Sequence, residues 1–158
     1  MSTTKTPEEL LELCIWDLKE ACRLLAARVP RFAHTARNAA LGKLLEQVSD
    51  AAEIRAKALE PHAPSSGPAN IWMTGVLDDG ERDTRSIEPG PLLDTALIGA
   101  VRKGLKAEIA SIDTALALAR VRKQSGPESA LESNLDTARA HDRDLAKLLA
   151  EITAAAGK

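Results

Sequence analysis

The sequence predicts an all-α protein, a four-helix bundle with a long crossover that contains an additional short helix. Three observations predict it. Apolar residues recur at three- and four-residue spacing through four long segments, which puts them on one face of a helix. Clusters of Pro and Gly separate those segments. No stretch alternates apolar and polar residues as a half-buried strand does.

Thr6-Pro7-Glu8-Glu9 reads as an N-cap, a proline at the first helical position and acids where the helix dipole favours them. Leu11, Cys14, Leu18, Ala21 and Leu25 then repeat until Pro30 interrupts, so the first helix is expected to end near Arg28. The second is expected from about Thr35 to Glu60, with Leu41, Leu44, Leu45, Val48, Ala52 and Leu59 on one face and Pro61 as its stop. After a Pro/Ser/Gly loop from His62 to Pro68, a shorter helix from Ala69 to about Ile87 carries Ile71, Trp72, Val76 and Leu77. Glu88-Pro89-Gly90-Pro91 is a hard break. The long helix from Pro91 to about Lys123 aligns Leu93, Leu97, Val101, Gly104, Glu108, Ile112 and Ala115. Ser125-Gly126-Pro127 ends it, and a last helix from Pro127 to about Ala155 aligns Leu131, Leu135, Ala138, Asp142, Leu145, Leu149 and Ile152.

Short links join the first helix to the second and the third long helix to the fourth, so each couple is expected to form an antiparallel pair. The middle connection, from Pro61 to Gly90, is longer and lets the third long helix start at the end where it can run beside the second. That wiring is ferritin-like, distinct from a plain up-down-up-down bundle.

Composition bounds the rest. A chain of 158 residues, 44% hydrophobic and 28% charged, is expected to be one soluble domain spanning 1–158 with its core over about 7–155. A formal net charge of -2 argues against a nucleic-acid partner, because neutralising phosphates needs a clustered Lys/Arg surplus. With 2% aromatic residues, base stacking and flavin stacking lack raw material. No window approaches the apolar length of a membrane span, and the first residues lack an apolar signal core, so a cytoplasmic protein with no membrane partner is expected. Cys14 and Cys22 fall roughly 12 Å apart on one helix, too far to pair, and read as small inward hydrophobes.

Three segments then point to a family: Ile71-Trp72-Met73-Thr74-Gly75-Val76-Leu77-Asp78-Asp79-Gly80-Glu81-Arg82-Asp83-Thr84, Leu93-Asp94-Thr95-Ala96-Leu97-Ile98, and Ala107-Glu108-Ile109-Ala110-Ser111-Ile112. Together they resemble the YciE/YciF-like branch of the ferritin-like superfamily, over most of residues 7–155. Asp94, Leu97 and Ile98 match the family's helix start, and Glu108 and Ile109 match part of its Glu-rich core. The Glu-His pair of that core falls on Leu105 and Lys106. Asp17, Leu18 and Ala21 match the first-helix pattern, but its Glu falls on Cys22 and the second helix's His near Val48. The acids of the last helix fall on Thr137 and Ala138, or, in a register one turn away, bring in Asp136 or His141. The resemblance implies a bundle from which most of the metal ligands have been lost, a homodimer, and a part in stress physiology.

Di-iron bundles need about six ligands converging from four helices, including Glu-x-x-His pairs. This sequence contains no Glu-x-x-His, and no cofactor is favoured. The alternative is iron or another divalent metal in a rebuilt site drawn from Glu20, Glu46, Asp50, Glu53, Glu108, Asp136 and His141. Glu108 lies inside an apolar stripe, where an ionised carboxylate must be paired, hydrogen-bonded or neutralised. Arg55 and Asp142 are the candidate partners, and a guanidinium facing Glu108 would place a chain-borne cation in the bundle centre. Helix rotation could equally leave all three solvated at the stripe's edge. His34, His62 and His141 lack the i, i+4 pairing of a helical metal site. No nucleophile elbow or Gly-rich phosphate loop occurs. A third reading is a small-ligand carrier, in which Gly104 and Ala138 would leave room between helices. Ile71, Trp72 and Met73 form a candidate homodimer interface, with Trp72 alternatively capping the intramolecular core. The expected function is that of a non-catalytic bundle acting through dimerisation or partner binding.

Overall fold

The computed structural model describes residues 3–158. They form five helices: α1 (Pro7–Thr35), α2 (Ala39–Leu59), α3 (Ile71–Ser86), α4 (Pro91–Val121) and α5 (Ser125–Ala156), with one 3-10 turn at Glu60–His62. Among the described residues there is no strand. Thr6 and Glu9 build the reciprocal cap expected of the N-terminal motif: each side chain accepts the other's backbone N–H.

The first helix runs on through Pro30 to Thr35, past its expected end near Arg28. A proline inside a helix lacks the N–H that would bond the carbonyl four residues earlier, here that of Ala26. The Ser49 hydroxyl of α2 donates to that Ala26 oxygen at 2.9 Å. The neighbouring helix therefore satisfies the acceptor that Pro30 strands, and the extra turns bury Phe32 and Ala33. Replacing Ser49 by Ala is expected to cost about 1 to 3 kcal/mol, because the carbonyl loses its partner. In a Pro30→Ala background the restored N–H should make the same change cheaper, which a double-mutant cycle by urea unfolding measures. Equal costs in the two backgrounds would sink this account.

The turn between α1 and α2 is tied to α4. Asn38 caps α2 by accepting the Leu41 N–H at 3.0 Å. The buried Asp94 carboxylate, in the first turn of α4, accepts the backbone N–H groups of Arg37 and Asn38, both at 2.9 Å.

Helices α1 and α2 pack as one hairpin and α4 and α5 as another, with α1 also against α4 and α2 against α5. Leu11, Ile15 and Leu18 share one apolar cluster with Leu59, Ile112, Leu116, Leu131 and Leu135. The starts of α1 and α5 and the ends of α2 and α4 thus meet at one end of the bundle. It follows that α2 and α4 run parallel, which the long crossover makes possible. The third long helix does not lie beside the second, however; α4 packs beside α1 and stands diagonally across from α2.

The crossover is fastened to Asp17. Its carboxylate accepts from Asn70 Nδ2 at 2.8 Å and Trp72 Nε1 at 2.7 Å, while its backbone oxygen accepts from Asn70 Nδ2 at 2.9 Å. Asn70 Oδ1 in turn caps α3 by accepting the Met73 N–H at 2.8 Å. Trp16 Nε1 donates to the Pro68 carbonyl at 2.8 Å. So held, α3 covers α1 and α4 and drives Met73 into the core. Gly104 permits that approach, since a Cβ there would lie 3.0 Å from the Met73 sulfur. The room expected at Gly104 for a small ligand is therefore filled by Met73. Of the three candidate interface residues, Met73 is in the core and Trp72 is half-buried on Asp17; Ile71 alone projects freely, 81% exposed.

Candidate functional site

The centre of the bundle holds one ion pair. Glu108 of α4 is 0% exposed and Arg55 of α2 is 1% exposed. The two face each other across the diagonal, with Arg55 Nε 2.8 Å from Glu108 Oε1 and Nη2 3.0 Å from Oε2. This is the two-pronged geometry in which a guanidinium matches a carboxylate best. Cys22 of α1 donates its thiol to Glu108 Oε1 at 3.2 Å, and Asn134 of α5 donates to the Arg55 backbone oxygen at 3.2 Å. Each of the four long helices thus contributes one residue to the same polar centre.

Burial is the largest single influence on Arg55 and opposes its charge, yet Glu108 and Cys22 together, through charge and hydrogen bonds, leave the guanidinium pKa raised. Burial first, and then the charge of Glu108, push the Cys22 thiol well above the ordinary range, so it stays protonated and acts as a donor. Among the described residues, two buried side-chain nitrogens lack a partner: Arg55 Nη1 and His141 Nδ1.

Asp142 is not part of this centre. Its carboxylate pairs with Arg102 Nε and Lys106 Nζ of α4, each at 2.8 Å. Rotation of α5 carries Asp142 to the flank of the α4–α5 hairpin, where cations one turn apart clamp it. Their hydrogen bonds overcome the upward effect of burial and hold the carboxyl below its usual range. The spacing of Arg102 and Lys106 was the sequence signal for this pairing, since residues four apart share a helix face.

The residues present do not fit a di-metal centre. Among the described residues, no three or more His, Cys, Asp or Glu side chains are grouped so as to hold a metal ion. Of the rebuilt set, Glu46, Asp50, Glu53 and Asp136 are exposed. Glu20 pairs with Arg23 at 2.9 Å and Glu53 with Lys57 at 3.0 Å. Only Glu108 lies at the centre with both oxygens available in principle, and the guanidinium holds both. A groove of about 370 Å³ between α1 and α2 has an alanine floor of Ala26, Ala27 and Ala56. Its rim charges are satisfied within the chain, Arg23 by Glu60 at 3.4 Å and Lys57 by Glu53.

Comparison with known proteins places the chain. None of the curated proteins compared with it matches. Solved structures share its fold, two of them as follows. The E. coli stress protein YciF superposes with a TM-score of 0.90 at 20% identity, over 95% of this chain and 98% of that one. YcfI from Rhodopseudomonas palustris superposes with a TM-score of 0.84 at 20% identity, over 89% of this chain and 93% of that one. At such identity the likeness concerns the fold. No helix among the described residues is long and apolar enough to cross a membrane. The family described as a domain of unknown function (DUF892) matches residues 17–157, nearly the whole chain, and this protein belongs to it.

Proposed function

We propose that this protein is a non-catalytic, ferritin-like bundle of the cytoplasm, and that its centre is closed by a chain-borne cation where metal-carboxylate bundles place a metal ion. It acts through its surface, by forming a homodimer or binding a protein partner, in stress physiology. The observation that carries the reading is the two-pronged Arg55–Glu108 pair on the bundle axis. A guanidinium keeps its charge at any physiological pH, so Glu108 has a permanent counterion that an arriving metal would have to displace. Cys22 and Ala138, both fully buried, stand where the resemblance places further ligands, and Ala138 offers no donor. The likeness to a protein named as a stress protein supports the physiological part of the reading.

Metal content per chain tests it. After incubation with ferrous iron under air and desalting without chelator, elemental analysis is expected to find no stoichiometric iron. Iron at about two per chain, the complement of a di-iron bundle, would overturn the reading and make Glu108 a ligand.

A further inference from the structure

Helix α3 is attached to the bundle differently at its two ends. Residues 87–90 join it to α4 and turn at Gly90, whose φ of +152° residues other than glycine rarely adopt. Residues 63–70, which have no regular structure, join it to the 3-10 turn, and there side chains do the holding: Asn70 and Trp72 on the Asp17 carboxylate, and Trp16 on the Pro68 carbonyl. We propose that α3 is a hinged strap, which unclasps at Asp17, swings about the Gly90 turn and uncovers the apolar furrow between α1 and α4 while the four long helices stay folded.

Burial favours that division. Of the 16 residues of α3 only Met73, Leu77 and Gly80 are buried, whereas α4 buries 13 of its 31. Few buried side chains mean a small opening free energy, because apolar area removed from water is what keeps a helix in place. The rest of the hold is ionic: Arg28 of α1 pairs with Asp78 at 2.6 Å and Glu81 at 2.9 Å, and Lys103 of α4 with Asp79 at 3.3 Å. Asp78 and Lys103 are each 63% exposed, so water and salt weaken their pairs. The bundle has its own frame beneath the strap, since α1 and α4 pack on each other as well as on their hairpin partners.

Release at Asp17 undoes several contacts at once. Asn70 Nδ2 leaves the carboxylate, and Asn70 Oδ1 is the cap on the Met73 N–H, so the clasp and the start of α3 come apart together. Met73 is also the first buried side chain of the helix, seated against Gly104. Its withdrawal, followed by that of Gly80 from the Phe32 ring and Ala100, strips the furrow.

Amide hydrogen exchange of the intact protein, followed residue by residue by NMR, tests the strap. The α3 amides are expected to share one opening constant, at least about tenfold larger than that of the α4 amides around Glu108. Asp17→Ala removes an acceptor of charge-assisted hydrogen bonds and should raise α3 opening about tenfold or more. Ile112→Val supplies the control, because the apolar cluster of Ile112 contains no α3 residue. It should speed exchange at the α4 centre about twofold to tenfold and leave α3 unchanged, since the closed and unclasped forms carry the change alike. Equal protection of α3 and the α4 centre, α3 amides that quicken with Ile112→Val, or α3 amides indifferent to Asp17→Ala would each overturn the proposal.

Discussion

Replacing Glu108 by Ala is expected to cost about 3 to 5 kcal/mol of folding stability, the penalty for breaking a buried ion pair on one side. The variant leaves the Arg55 guanidinium buried and unable to discharge itself, and the Cys22 thiol without its acceptor. The opposite single change, Arg55→Met, should be milder, because a stranded carboxylate can take up a proton whereas a guanidinium cannot. Removing both charges together, as Arg55→Met with Glu108→Leu, should be near neutral or stabilising by about 1 to 4 kcal/mol, since well-packed apolar side chains avoid the desolvation of both ions. The exposed Glu53–Lys57 pair supplies the contrast, with Glu53→Ala expected to change stability by only about 0 to 1 kcal/mol. Urea unfolding of the series gives all four values. A Glu108→Ala cost as small as that of Glu53→Ala would mean that the centre is wet and open.

The second large effect belongs to Phe32, which is fully buried. Phe32→Ala is expected to cost about 3 to 5 kcal/mol through lost burial and the cavity left behind. The site lies where α1, α3 and α4 meet, and its packing is tight. A Cβ placed on Gly80 would come 2.8 Å from the Phe32 ring and 3.0 Å from the Ala100 Cβ. Gly80→Ala in the wild type should therefore be destabilising through overpacking. In the Phe32→Ala background the added methyl enters vacated space, so the same change should become less costly or favourable. A cycle of the four proteins by chemical denaturation reads the coupling; strict additivity would show that the ring and the glycine do not share this space.

That Glu108 stands out in the sequence while the burial of Phe32 does not is a matter of range. Glu108 betrays itself locally, as a carboxylate inside its own helix's apolar stripe. The helical fate of Phe32 depends on Pro30, and Pro30 is tolerated because of Ser49, a residue on another helix whose hydroxyl no pattern within α1 could reveal. The breaks at Pro61 and Gly90 were legible for the opposite reason: capping and turn chemistry act within a few residues. The same contrast separates the two partners offered to Glu108. Arg55 and Asp142 sit alike on their stripes, and only the rotation of each helix, set by packing, decides that Arg55 meets Glu108 and Asp142 meets Arg102 and Lys106. The hold of Asp17 on Asn70 and Trp72 joins residues 53 and 55 positions apart, beyond any periodicity. Met73, a candidate interface residue from the sequence, packs in the core, where the absence of a side chain on Gly104 leaves room for its sulfur.

The diagonal pair also bears on which bundle this chain can be. Much of the packed surface is alanine, with Ala21, Ala52, Ala100, Ala115, Ala119 and Ala138 all buried. Smooth faces of that kind fit almost as well after one helix slides along another by a turn, about 5.4 Å. The ion pair does not tolerate such a slide, because it would part a guanidinium from a carboxylate inside a dry core, at several kcal/mol for each. Arg55 and Glu108 therefore work as a key and its wards, admitting one longitudinal alignment of the two hairpins among several that shape alone would accept.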